Sequence, residues 1–206
     1  DIMGERFVEG YEISGNTKRK MGDKSIDKNA TGAGSVPSAM QPYVSVVEYG
    51  DGTFHQSVFT LAAVPITMRD TEQGGGVKIY DFPLGRIQRI GATGTIAVTT
   101  TSVLADTLNT GVTCNWGIGS TTQASATLAT TEQDFVNVQA FTASATIAVA
   151  GANSTGVGPG VLASLDGTSA AVDAFLNLAV ALATDIDANA TVTVSGTIKI
   201  TWVNLT

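Results

Sequence analysis

Histidine occurs once in the chain, as His55. A single imidazole excludes every site that needs two, while a Ser-His-Asp arrangement using His55 stays open on residue type. No Gly-x-Ser-x-Gly elbow is present to raise a serine nucleophile, so a hydrolase is not the expectation. Cysteine also occurs once, as Cys114, which forbids an internal disulfide. Asp185, Asp187 and Asn189 have a spacing found in calcium loops, but the glycine and terminal glutamate of an EF-hand are missing, and the segment reads as a turn. Gly74-Gly75-Gly76 precedes a short strand rather than a helix, so no helix N-terminus is available to make the glycines a phosphate cradle. The expectation is a protein with no catalytic residue, no metal and no cofactor.

The elements that would position such residues are strands. Tyr43 to Glu48 is a short β run closed by the turn signal Gly50-Asp51-Gly52. Thr53 to Val64 is rich in β-branched and aromatic residues, with Pro65 marking its end or an edge. Lys78 to Phe82 and Arg86 to Thr101 continue the pattern, the latter with apolar residues at Ile90, Ala92, Ile96 and Val98. From Val112 to Ile118 every even position is apolar, the mark of a half-buried strand. That register turns Val112, Cys114, Trp116 and Ile118 inward and makes Cys114 a buried structural thiol. Residues 120–134 read as a polar loop with room for one helical turn, Val136 to Val149 as one or two strands, and Asp166-Gly167 as a turn. The run from Ala171 to Leu182 fits a helix face as well as a strand, and periodicity does not separate the two. The alternation of Val192, Val194, Ile198, Ile200 and Trp202 with hydroxyl residues favours a strand from Phe175 that pairs with 191–202 as a hairpin. Roughly eight short strands with no long helix predict an all-β sandwich or barrel, and a jelly-roll-like β-sandwich in particular.

Charge divides the chain. Its formal net charge is −7 over 206 residues, but from Ile90 to Ile198 there is neither lysine nor arginine. That half carries its solubility on Thr, Ser and Asn. The acidic excess argues against nucleic-acid binding. No apolar run approaches the length of about 18 residues that a membrane-spanning helix needs, and the opening Asp1-Ile-Met-Gly-Glu-Arg lacks the pattern of a signal peptide. Residues 1–42 stand apart from the strand-rich 43–206. They carry Glu5, Glu9 and Glu12, then the basic Lys18, Arg19, Lys20, Lys24 and Lys28, with Phe7, Tyr11 and Ile13 between the charges and no sustained period. The composition fits a disordered tail or an extended arm that orders against a partner. The arm is the expectation, with Phe7, Tyr11 and Ile13 as apolar anchors and Lys18, Arg19, Lys20, Lys24 and Lys28 meeting an acidic surface.

The last strands, Phe175-Leu-Asn-Leu-Ala-Val, Asp185-Ile-Asp-Ala-Asn and Thr191 to Leu205, resemble the C-terminal end of tailed-bacteriophage virion proteins, those of marine phages in particular. Phe59 to Ile66, Lys78-Ile-Tyr-Asp-Phe-Pro83 and Asp166-Gly-Thr-Ser-Ala resemble the same group. The resemblance covers residues 43–206 and its motifs are structural. It implies a jelly-roll capsid decoration (cement) protein on the outer surface of the phage head, bound to the major capsid protein, typically as a homotrimer. A head fibre or tail component, or a carbohydrate-binding receptor module, is the alternative. That alternative needs exposed aromatics, and Trp116 and Trp202 both fall on inward registers.

Overall fold

The computed structural model describes residues 11–14, 17–20, 32–50, 53–100, 113–142, 149–150, 154–155, 164–180, 186 and 189–205. Among them the strands in chain order are β1 (Tyr11–Ser14), β2 (Thr17–Lys20), β3 (Val44–Gly50), β4 (Phe54–Met68), β5 (Gly74–Asp81), β6 (Gly85–Thr100), β7 (Thr113–Gly119), β8 (Val136–Thr142), β9 (Val149–Ala150), β10 (Ser154–Thr155), β11 (Ser164–Gly167), β12 (Asp173–Val180) and β13 (Ala190–Asn204). A single 3-10 turn, Thr130–Glu132, lies between β7 and β8. The larger sheet runs β3-β4-β13-β6, with β9, β10 and β11 on the far edge of β6; the smaller runs β5-β12-β7-β8. Every pairing is antiparallel. The two sheets bury one common core, so the fold is an all-β sandwich.

Alternation builds this core strand by strand. On β13, Val192, Val194, Ile198, Ile200 and Trp202 are buried while the intervening hydroxyl residues are not. On β7, Cys114, Trp116 and Ile118 are buried as their parity predicts, and Val112 lies outside the described residues. Two bulges reset the parity elsewhere. In β4 the buried set passes from His55, Ser57, Phe59 and Leu61 to Val64, Ile66 and Met68, because Ala62 and Ala63 interrupt the register with β13. Ala63 takes φ +53 there, and its N–H is satisfied by the Ser195 hydroxyl at 2.9 Å. In β6, Ile90 is the extra residue: Arg89 pairs Trp202 and Gly91 pairs Thr201. Ile90 is therefore turned outward, although an unbroken count places it with Ala92, Ile96 and Val98 inside. Gly94 instead receives Trp116, whose ring tip would stand 2.9 Å from a Cβ at that position.

Several sequence expectations change. The strand at 173–180 does not form a hairpin with 190–204: β12 pairs β5 and β7 in one sheet, β13 pairs β4 and β6 in the other, and the chain crosses the sandwich between them. Among the described residues no helix precedes β12. Asp166 and Gly167 lie in a strand beside Arg86 and Gly85, and the turn comes one residue later, where the Thr168 N–H and hydroxyl both donate to Asp166 Oδ1. Pro65 sits inside β4, beyond Leu61 where its pairing with β3 stops. The triple glycine is the start of β5 itself. Cβ atoms at Gly74, Gly75 and Gly76 would stand 2.3 Å from Leu178 O, 2.1 Å from Thr67 O and 2.3 Å from Asn177 Oδ1. Three backbones or side chains press on this strand at once, and only glycine leaves them room.

Candidate interaction surfaces

Where they are described, the basic N-terminal residues Lys18, Arg19 and Lys20 lie on a strand paired with Tyr11–Ser14. Tyr11–Ser14 and Thr17–Lys20 form a separate two-stranded sheet in register Tyr11 to Lys20, Glu12 to Arg19, Ile13 to Lys18 and Ser14 to Thr17. Of the expected extended arm, Tyr11–Ser14 and Thr17–Lys20 are thus paired antiparallel strands. The register sets Tyr11 and Ile13 opposite lysines and Glu12 opposite Arg19. Phe7, Lys24 and Lys28 lie outside the described residues.

Residues 34–43 belong to the sandwich. Ser35 and Asp81 exchange two backbone hydrogen bonds of 2.8 Å, Val36 and Met40 pack on the core, and Gly34 N–H donates to the Tyr80 hydroxyl at 2.8 Å. Through Tyr80 this segment reaches a buried polar cluster that composition did not reveal. Glu48 of β3 accepts from the Tyr80 hydroxyl and, at 2.8 Å, from Ser57 of β4; Ser57 in turn accepts from Trp202 Nε1 at 2.8 Å. His55, fully buried, stacks on Trp202 with ring centroids 4.0 Å apart. Phe82 meets Trp202 and Tyr80 edge-on and stacks on Phe135. Burial, and then the Glu48 carboxyl, push the Tyr80 phenol far above its usual range, so it stays a proton donor.

This cluster places a serine, a histidine and an acid within one interior and still assembles no triad. Neither His55 ring nitrogen has a hydrogen-bond partner among the described residues, and the Ser57 hydroxyl is engaged by Glu48 and Trp202. Glu48, His55 and Ser57 are all buried, which leaves this serine no face to offer a substrate. The arrangement holds the N-terminal segment, the edge of β3 and the aromatic core together.

Two further buried groups escaped sequence reasoning. Arg89 stands inside the sandwich, donating to Phe135 O at 3.1 Å near Asp134; burial lowers the guanidinium pKa and raises that of Asp134. Asn177, on the outer face of β12, donates to Thr121 O and Glu132 O and accepts from Gln123 N. Its cross-strand neighbours are Gly76 and Gly117, so the 120–134 loop lies directly on a strip without bulky side chains. The expected polar loop is in place, but its Gln123 and Glu132 are buried.

The larger sheet keeps its outer face open among the described residues. Register lines cross it as Ser45-Thr60-Thr197-Thr95 and Val47-Val58-Lys199-Thr93. Val47, Phe54 and Ile90 are exposed on it, in a field of threonine. Both tryptophans are fully buried, so neither is available for stacking on a sugar. At one end of the sandwich Leu84 and Leu205 are exposed side by side, with the Asn204 side chain donating to Leu84 O. On the smaller sheet, Asp81 and Asp173 flank Lys78, whose ammonium lies 2.7 and 3.5 Å from them. Burial and then the Asp81 carboxyl raise the Asp173 pKa. No group of three His, Cys, Asp or Glu that could hold a metal forms among the described residues, and Asp185 and Asp187 lie outside them. Comparison of the chain with protein-family models, curated proteins and solved structures finds no match.

Proposed function

We propose that this chain is a non-enzymatic structural protein of a tailed-phage virion, a decoration protein that binds the outer surface of the head and clamps neighbouring major capsid subunits. The observation that carries the reading is the strand order. β4 lies beside β13, β5 beside β12, β6 beside β11 and β7 beside β8. Counted from β4, with β3 flanking it at the edge, first pairs with last and second with second-to-last, the order of a hairpin ribbon rolled on itself, which supports a jelly roll of the kind found in capsid proteins. The sequence resemblance points to the same class. A rigid sandwich with a flat threonine-rich face suits weak contacts repeated over a lattice, and a homotrimer would multiply them through multivalency.

A receptor- or glycan-binding module is the second reading. The burial of Trp116 and Trp202 weakens it, since aromatic stacking would have to come from tyrosine or phenylalanine. Imaging of the virion tests the proposal. Density for this sandwich on the head exterior, at positions bridging capsid subunits, is the expected result. Density confined to the tail tip would support the second reading and discard the first.

A further inference from the structure

We propose that the outer face of the larger sheet is where copies of this chain assemble, each face covered by the acid-bearing surface of the next copy; this rests on the homotrimer in the reading above. The face is open. Val47, Phe54 and Ile90 are exposed on it, and a Cβ at Gly91 would meet nothing within 4 Å. Three of its strands, β4, β13 and β6, are 15, 15 and 16 residues long. At about 3.3 Å per residue and about 4.8 Å between strands, with the shorter β3 added, they span about 800 Å². One partner contributes about 800 Å² to a stable interface of standard size.

Charge identifies the occupant. The chain has 18 acidic residues and a net charge of −7. Yet β3, β4, β6 and β13 together contain one carboxylate, Glu48, and it is buried on the inner side. Lys199 is exposed on the face, between Val58 and Thr93, and has no ion-pair partner among the described residues. Arg86, exposed at one edge, lies beside Asp166 of β11. The face is therefore weakly positive on an acidic molecule. Asp70 and Glu72 lie off it at the β4–β5 turn, and Asp81 and Asp173 lie on the smaller sheet. A face of this charge has no complement in itself, but it has one in the acid-bearing side of a neighbour. Such a contact joins two different surfaces, the kind that closes into a ring. Apolar contact comes from one end, where Val47 stands opposite Val58 and Phe54 opposite Val203. Threonine and serine fill the middle without charge, in keeping with the depletion of charged residues from interface cores.

The test is mass photometry and sedimentation of the full chain over a concentration series, with variants on and off the face. The wild type should be a trimer that weakens as salt rises, because opposite charges at an exposed contact are screened. Lys199→Glu and Thr197→Glu, both at exposed positions, each put a carboxylate on the face. Each should raise the concentration for half-assembly about tenfold or more, with the far-UV circular dichroism unchanged. Lys199→Arg should assemble as the wild type does, and so should Val138→Glu on the smaller sheet. Wild-type assembly of Lys199→Glu and Thr197→Glu would overturn the inference and leave a trimer built through another surface. A trimer that tightens as salt rises would show like charges meeting, and overturn it too. If these variants stay trimeric but lose binding to emptied capsid shells, the face belongs to the capsid and the inference falls. A wild type that is monomeric throughout removes the homotrimer and this inference with it, while shell binding by that monomer would keep the decoration reading.

Discussion

At the scale of single residues, the interior polar groups are held by specific partners, and their removal has calculable directions. Tyr80→Phe removes a donor from Glu48 and leaves the Gly34 N–H without its acceptor. Unfolding by denaturant should show a loss of about 1–3 kcal/mol, the usual cost of stranding buried polar groups. Trp116→Ala empties a fully buried site against Gly94 and should cost about 3–5 kcal/mol. Cys114, 1% exposed, should resist alkylation in the native protein and react once it is unfolded. Asp134 titrates in the opposite sense to most carboxyls. Its pKa is raised by burial, so the fold favours its protonated form. Its stabilising contribution is present below the unfolded value of about 3.9 and is lost as pH rises through the raised folded value. Asp134→Asn should therefore flatten the dependence of unfolding free energy on pH above that lower limit.

At the scale of elements, the close approach around β5 is the sharpest constraint. Gly76→Ala would set a methyl 2.3 Å from Asn177 Oδ1 and disturb the anchor of the 120–134 loop. A loss of about 1–3 kcal/mol is expected from such overpacking, with faster amide exchange across 121–132. Strand identity was legible in the sequence wherever one face is apolar, and β7 and β13 follow their alternation residue for residue. Sheet membership was not. A hairpin between 175–183 and 191–202 is what nearness along the chain favours, and nothing local reveals that the intervening residues carry the chain to the other sheet. Parity failed at Ile90 and at Ala62-Ala63 because a bulge leaves no mark in composition. Arg89, Glu48 and Asn177 were missed as buried residues for a related reason: their acceptors and donors come from strands and loops 9 to 56 positions away. The pairing of 11–14 with 17–20 was not legible because a period of two is too brief over four residues to stand out. Of the candidate surfaces, the basic cluster was visible as charge, whereas the threonine-rich face of the larger sheet depends on strand pairings that no local pattern reveals.

At the scale of the whole molecule, the attachment of residues 34–43 to the sandwich fixes where an N-terminal truncation should be made. Deletion of residues 1–31 keeps the Gly34–Tyr80 and Ser35–Asp81 contacts, so the sandwich should melt as the full chain does. If the basic N-terminal strand serves the clamp, shell occupancy of the truncated protein should fall sharply, and the full chain's occupancy should weaken with salt as exposed charges are screened. Equal occupancy of the two would assign the whole of binding to the sandwich. Mass photometry at micromolar concentration should find a trimer; a monomer alone would remove self-association from the proposal. One feature of the larger sheet also bears on force. β13, fifteen residues long and almost at the end of the described chain, is laced along its length to β4 on one side and β6 on the other. A pull directed along it at Leu205 loads both ladders in shear, so the bonds share the tension and must fail together, whereas a pull across the sheet would peel them one by one. Tension applied along β13 therefore meets two ladders that must give way at once.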